Sequence, residues 1–171
     1  MGNIVSVIGK SKVGKTTFIE KIIKEMKKMG YRVAAVKHTH HDFEIDYPGK
    51  DSYRIFNSGS EGVLILSSKK LALIKNIYNG FDIYNFIKNV FGDCDIIFAE
   101  GFKNENFPKI EIVKDDVIFS ENILAIVYVE RNNKIFNGKD IPFFYMDEMD
   151  KIINWIEKDI LKGRKNENRS F

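Results

Sequence analysis

Gly9-Lys10-Ser11-Lys12-Val13-Gly14-Lys15-Thr16 follows directly on the apolar run Ile4 to Ile8 and leads into an amphipathic stretch, and this junction decides the fold. The octapeptide fits G-x-x-x-x-G-K-[ST] in the strand-to-helix setting where that pattern has a mechanism. Gly9 and Gly14 let the backbone wrap an anion with its N–H groups turned inward, and the helix N-terminus behind them adds positive partial charge. A phosphate chain is the matching ligand. Lys15 supplies a point charge for the terminal phosphates, Thr16 a hydroxyl for a bridging Mg2+, and Thr17 stands one residue on, placed for the innermost phosphate. Lys10, Ser11, Lys12 and Val13 complete the loop, the two lysines adding charge beyond what the pattern requires.

Outward from this loop, Ile4 to Ile8 is the near-continuous apolar strand expected in a parallel sheet covered on both faces. From Thr16, Phe18, Ile19, Ile22, Ile23, Met26 and Met29 recur at helical spacing, opposite Glu20, Lys21, Lys24, Glu25, Lys27 and Lys28, with Gly30 placed to end the helix. Tyr31 to Lys37 gives a second strand, completing a β-α-β unit. His38 to Gly49 has no periodicity and is a loop, after which Asp51 or Ser52 is placed to cap a short helix through Phe56. Val63 to Leu66 and Leu71 to Lys75, separated by four polar residues, form a hairpin. A helix over Asp82 to Phe91, strands at Ile96 to Ala99, Lys109 to Val113, Ile123 to Val129 and Pro142 to Met146, and a helix over Glu148 to Leu161 follow. The prediction is an α/β fold: a doubly wound, mainly parallel sheet flanked by helices, with an inserted antiparallel hairpin. Residues 1–162 make one nucleotide-binding domain and 163–171 a polar tail.

Composition narrows the function classes. At 171 residues, 44% hydrophobic and 30% charged, the chain suits one folded domain. A formal charge of +3 is too weak to indicate nucleic acid. The single cysteine allows neither an internal disulfide nor a cysteine-based zinc site, which fits a cytoplasmic protein. No signal peptide or membrane-length apolar run is present.

Two further segments carry chemistry. Asp95-Ile96-Ile97-Phe98-Ala99-Glu100-Gly101 is an apolar strand ending in a carboxylate, and ligands in such sheets gather beyond the carboxyl ends of strands. Glu100 is therefore the candidate Mg2+ group and, with Lys15, the candidate catalytic pair. Asp95, at the opposite strand end, is a turn or cap residue, and Cys94 a partly buried thiol. The loop after the second strand holds all three histidines, His38, His40 and His41, with Asp42, Asp46, Lys50 and Asp51. Imidazoles beside carboxylates suit Zn, Ni or Cu, while the same groups serve equally as loop residues near a nucleotide or in solvent.

Together, the phosphate loop, Val36-Lys37-His38-Thr39-His40-His41-Asp42-Phe43-Glu44-Ile45-Asp46 with Pro48-Gly49-Lys50-Asp51-Ser52, Ala99-Glu100-Gly101-Phe102-Lys103 and Pro108-Lys109-Ile110-Glu111 resemble the MobB family of molybdopterin-guanine dinucleotide biosynthesis adapter proteins, from about Ile4 to Val129. The resemblance implies a GTP-binding P-loop NTPase that uses Mg2+ and hydrolyses GTP weakly. It implies a homodimer that assists a MobA-type guanylyltransferase in attaching GMP to molybdopterin. Gly9 to Thr17 would hold the phosphates, Thr16 and Glu100 the Mg2+, and the His38 to Asp51 segment would form a pterin or partner surface. The hairpin is the candidate dimer contact. The sequence departs from common guanine-reading patterns: no Asn-Lys-x-Asp occurs, since Asn133-Lys134 is followed by Ile135 and Phe136. Glu130-Arg131-Asn132-Asn133 lacks the Ser-Asp ending expected there, and Asp147 is another group able to contact a base. Alternatives are an ATP-dependent enzyme of the dethiobiotin synthetase type, with Lys37 or Lys103 in the chemistry, and a nickel-insertion GTPase built on the histidines.

Overall fold

The structure is a computed structural model that describes residues 4–39, 41–117, 121–131 and 141–161. Its elements run in the order β1 (Ile4–Ile8), α1 (Lys15–Lys28), β2 (Val33–Lys37), α2 (Asp51–Asn57), β3 (Gly62–Leu66), β4 (Leu71–Lys75), α3 (Ile83–Phe91), β5 (Ile96–Glu100), β6 (Lys109–Val113), β7 (Ile123–Tyr128), β8 (Phe143–Tyr145) and α4 (Met149–Trp155). The last continues as a π-helical turn, Ile156–Ile160. Backbone contacts group the chain into two compact units, Met1–Thr39 with Phe86–Phe171, and His40–Asn85.

In the first unit, six strands form one sheet in the order β2-β5-β1-β6-β7-β8. Every neighbouring pair is parallel. The expected α/β architecture is present, with one informative detail: β5 lies between β1 and β2, so the strands of the first β-α-β unit are not neighbours. Val7 and Lys37 both stand opposite Glu100 in the register. The end of β5 is thereby set between the phosphate loop and the end of β2.

The core explains why the central strands are continuously apolar. Val5, Val7, Ile96, Phe98, Ile110, Ile112 and Val127 pack with Phe18, Ile22 and Met26 of α1 and Ile152, Ile153 and Ile156 of the C-terminal helix. Val113, Ile126 and Tyr128 form a second cluster with Val117, Ile123, Ile141 and Tyr145. Burying such side chains contributes about 1.5–3 kcal/mol each, which makes this sheet the stable scaffold on which the site rests.

One expectation changes, and others gain detail. Neither Asp51 nor Ser52 caps α2: Lys50 occupies the cap position without a side-chain bond, and Asp51 begins the helix, where its charge still suits the positive helix end. The last helix buries Ile152, Ile153, Ile156 and Leu161, with Met149, Trp155 and Ile160 only partly covered. Asp95 is a backbone clasp, Oδ2 accepting from the Arg32 N–H at 2.6 Å, and Cys94 is partly buried. Lys109 is a buried cation: its Nζ donates to the carbonyls of Glu105 (2.7 Å) and Phe107 (3.1 Å), and burial pushes its pKa below the ordinary lysine range. The chain between β5 and β6 is tied down from beneath by that ammonium. The expected tail, 163–171, lies outside the described residues. No helix among them is long and apolar enough to cross a membrane.

In the second unit, β3 and β4 pair antiparallel as the expected hairpin, with Gly62 opposite Lys75 and Leu66 opposite Leu71. The loop from His41 to Lys50 carries neither helix nor strand.

Candidate functional site

The loop after β1 has the backbone geometry its glycines predict. Gly9 has φ +145° and Gly14 φ +103°, conformations that L side chains rarely adopt. A Cβ on Gly9 would stand 2.5 Å from the carbonyl oxygen of Ile112, so only glycine lets β1 leave the sheet this close to β6. Lys12 takes a left-handed conformation at φ 60°. Helix α1 starts on Gly14 with no side-chain cap and no acidic residue in its first turn. Its first N–H groups therefore face no competing side-chain acceptor and no repelling charge toward an incoming anion.

An open cleft of about 250 Å³ lies above this helix end, lined by Lys12, Gly14, Lys15, Thr16, Thr17 and Glu100. Lys15 Nζ donates to the carbonyls of Lys10 (2.8 Å) and Gly9 (3.2 Å), arching back over its own loop. Thr16 Oγ1 donates to Glu100 Oε2 at 2.8 Å, and Lys37 Nζ stands 3.3 Å from Glu100 Oε1. One carboxylate thus joins the start of α1 to the ends of β2 and β5. It is held from behind, where the His38 N–H donates to the Glu100 carbonyl and the Gly101 N–H to that of Val7, both at 3.0 Å. Gly101 and Phe102 then turn through positive φ, and the His38 ring packs against Phe102 at 5.2 Å.

Of the residues chosen from sequence, Gly14, Lys15, Thr16, Thr17, Lys12 and Glu100 converge on the cleft. Gly9 shapes the loop, and Val13 is buried beneath it. Lys10 instead pairs with Asp116 at 3.3 Å, both side chains at least half exposed, and Ser11 is exposed at the tip. The donor set suits a hard cation: a hydroxyl and a carboxylate, both oxygen, beside a phosphate cradle, match Mg2+. Lys37 was legible only as an alternative catalyst. Its role as the second partner of Glu100 follows from both residues ending parallel strands in matched register, information that a linear motif does not carry.

The histidine-aspartate segment divides between the units. His38 belongs to the first; His41, Asp42, Lys50 and Asp51 belong to the second and are exposed, as does Asp46, which is half-buried with its Oδ2 covered; His40 lies outside the described residues. Phe43, Ile45 and Tyr47 in this segment are also exposed, at 66–71%. Among the described residues, no group of three or more His, Cys, Asp or Glu side chains is arranged to hold a metal ion.

Comparisons with known proteins agree with this geometry. Residues 4–129 match the family model of molybdopterin guanine dinucleotide synthesis protein B, MobB. The molybdopterin-guanine dinucleotide biosynthesis adapter protein of Escherichia coli is 26% identical over 86% of this chain and 90% of its own length. That of Haemophilus influenzae is 32% identical over 72% of each. The crystal structure of Bacillus subtilis MobB superposes with a TM-score of 0.73 at 26% identity, covering 89% of this chain and 96% of that one.

Proposed function

The chain belongs to the MobB family, and on that premise we infer that it is an adapter protein of molybdopterin guanine dinucleotide biosynthesis, holding GTP with Mg2+ on its phosphate loop. The observation that carries the nucleotide reading is the Lys15, Thr16 and Glu100 arrangement around one cleft, built on an uncapped helix start. Family membership favours the adapter over a small-metabolite enzyme or a nickel-insertion GTPase.

Lys15 is held by two carbonyls in the nucleotide-free chain, and a phosphate is a stronger acceptor for an ammonium than either of them. Its release toward the terminal phosphates requires only a side-chain rotation. Thr16 and Glu100 would hold Mg2+, which when bound neutralises phosphate charge. Lys37 keeps Glu100 paired and oriented. Among the described residues, the cleft lining offers one carboxylate, already engaged by Thr16 and Lys37, and no further acidic or imidazole side chain. Hydrolysis is therefore slow, as suits a protein whose task is to present a nucleotide.

The partner is a MobA-type guanylyltransferase with molybdopterin as the substrate they serve. The loop with exposed His41, Asp42, Lys50 and Asp51 and half-buried Asp46 offers the polar and aromatic surface for that contact. The chain acts as a homodimer through the β3-β4 hairpin, whose leucines and open edges suit a second copy.

The test is co-elution with a MobA-type guanylyltransferase, with and without Mg-GTP, monitored by light scattering. A complex favoured by Mg-GTP is expected. Absence of any complex, together with absence of guanine nucleotide binding, would overturn the reading.

A further inference from the structure

The parallel register gives the cleft a direction. Every strand of the sheet ends at the same edge, so its C-terminal loops line up in the order β2, β5, β1, β6, β7, β8. Of the groups suited to terminal phosphates and metal, Glu100 ends β5 and Thr16 donates to it, so this pair lies on the β5 side of the row, while Lys15 arches over the loop that follows β1. A nucleotide with its metal end at Glu100 and its phosphates over the loop after β1 would, continued along this row, pass over the ends of β6, β7 and β8. On that side the loop after β8 reaches the phosphate loop itself: the Met146 methyl group lies 3.9 Å from where a Cβ on Gly14 would stand. The residue after Met146 is Asp147.

Asp147 is engaged in a particular way. Arg131, three residues past the end of β7, donates through Nη2 to both carboxylate oxygens at 2.9 Å and through Nε to Oδ2 at 3.2 Å. Its guanidinium carbon lies 4.8 Å from the centre of the Tyr145 ring. Glu148, the neighbouring acid, is a weaker second partner of Arg131, with Nη2 3.9 Å from Oε1, and its carboxylate accepts from Lys151 Nζ (2.7 Å) and the Tyr145 N–H (3.0 Å), bonds that hold its pKa below the ordinary glutamate range. Asp147 and Arg131 are 64% and 60% exposed, so their pairing is open to exchange with a ligand.

We propose that Asp147 is the base-reading residue of the nucleotide site and that Arg131 occupies the seat of the base until a guanine displaces it. This rests on the nucleotide reading above. The chemistry is complementary: a guanidinium offers a carboxylate parallel N–H donors, and so does the N1–H and 2-amino edge of guanine. Adenine has an acceptor at N1 and no 2-amino group, so the same carboxylate repels it. Exposed ion pairs are weak, which makes the exchange feasible, and Arg131 keeps the Tyr145 ring as a partner after release.

The experiment is calorimetric titration of Mg-GTP, Mg-ATP and Mg-XTP into the wild-type chain, Asp147→Asn and Arg131→Ala. An asparagine amide offers a donor to the C2 carbonyl of xanthine and an acceptor to its N1–H, so the variant should gain XTP. It should lose GTP by roughly 5- to 150-fold, the range of one bidentate base contact, while ATP affinity stays unchanged and reports an intact fold. Arg131→Ala should bind GTP as tightly as wild type or more so. A preference for GTP that survives in Asp147→Asn without a gain of XTP would overturn the assignment. So would equal loss of all three nucleotides, equal wild-type binding of GTP and ATP, or a tenfold GTP loss in Arg131→Ala. Wild type binding none of the three would instead sink the underlying nucleotide reading.

Discussion

β1 and β3 are built from the same kinds of residue and meet opposite fates. Ile4-Val5-Ser6-Val7-Ile8 is buried along its whole length at the centre of six strands. In Gly62-Val63-Leu64-Ile65-Leu66 only Val63 is buried; Leu64 and Leu66 are 52% and 66% exposed, and Leu71 and Leu73 across the hairpin 62% and 45%. A two-stranded ribbon has two faces and too few neighbours to cover either, whereas a parallel sheet receives helices from its own crossovers. Apolar strand residues that their own unit leaves open are the mark of an interaction surface. The first region explains where the stability lies, and the second carries the homodimer contact proposed above.

Substitutions should break this contrast in order of size. Phe98→Ala empties a fully buried position in β5 and should reduce unfolding free energy by about 3–5 kcal/mol in denaturant titration. A loss below about 1 kcal/mol would mean that the sheet is not the scaffold described. Next is Lys15→Ala, expected to weaken Mg-GTP binding more than about a hundredfold while the unfolding midpoint stays near wild type, since its bonds go to two carbonyls of its own loop, one exposed and one partly buried. Retained affinity would remove the phosphate-loop assignment.

Leu66→Ser with Leu71→Ser, an opposed pair on the hairpin, tests the other half of the comparison. Unfolding of the isolated monomer should change by no more than about 0.5 kcal/mol, the usual range for surface sites, while light scattering shows dimer giving way to monomer. A loss as large as that of Phe98→Ala would place the hairpin in a core. The smallest effect concerns Asp82, whose Oδ1 accepts from the Asn85 N–H at the start of α3, lowering its pKa below 3.8. A lowered folded pKa adds stability that is complete above the unfolded value and lost as pH falls through the folded one. Asp82→Ala should lower Tm slightly at pH 7, and the difference should shrink in acid as the carboxylate is protonated; an undiminished gap in strong acid would assign the effect to something other than this charge.

Much of this was readable from sequence where the physics is local. The phosphate loop announces itself because glycine, lysine and threonine at fixed spacing are what a strand-to-helix anion cradle requires, and Glu100 because an apolar strand ended in a carboxylate. What depends on register was less legible. Lys37 and Glu100 meet only because β5 inserts between β1 and β2. Asp147 stood out as an acid after a strand, but its bond to Arg131 spans 16 residues and joins two strand ends that no linear pattern connects. Nothing in the sequence marks Lys109, at the start of a strand, as a buried cation; that follows from the loop before it, which folds its carbonyls over the ammonium. The cap of α2 stands one or two residues earlier than Asp51 or Ser52 suggests, because Asp51, a good cap by composition, lies inside the first turn, where its charge suits the helix end.

The most direct test of the central claim, a guanine nucleotide held on the phosphate loop, is side-by-side calorimetric titration of Mg-GTP and Mg-ATP into the wild-type chain and Lys15→Ala. Saturable heat favouring GTP in the wild type, and none in the variant, is the predicted result. Undiminished GTP binding by Lys15→Ala, or a wild type that binds only ATP or neither nucleotide, would contradict it.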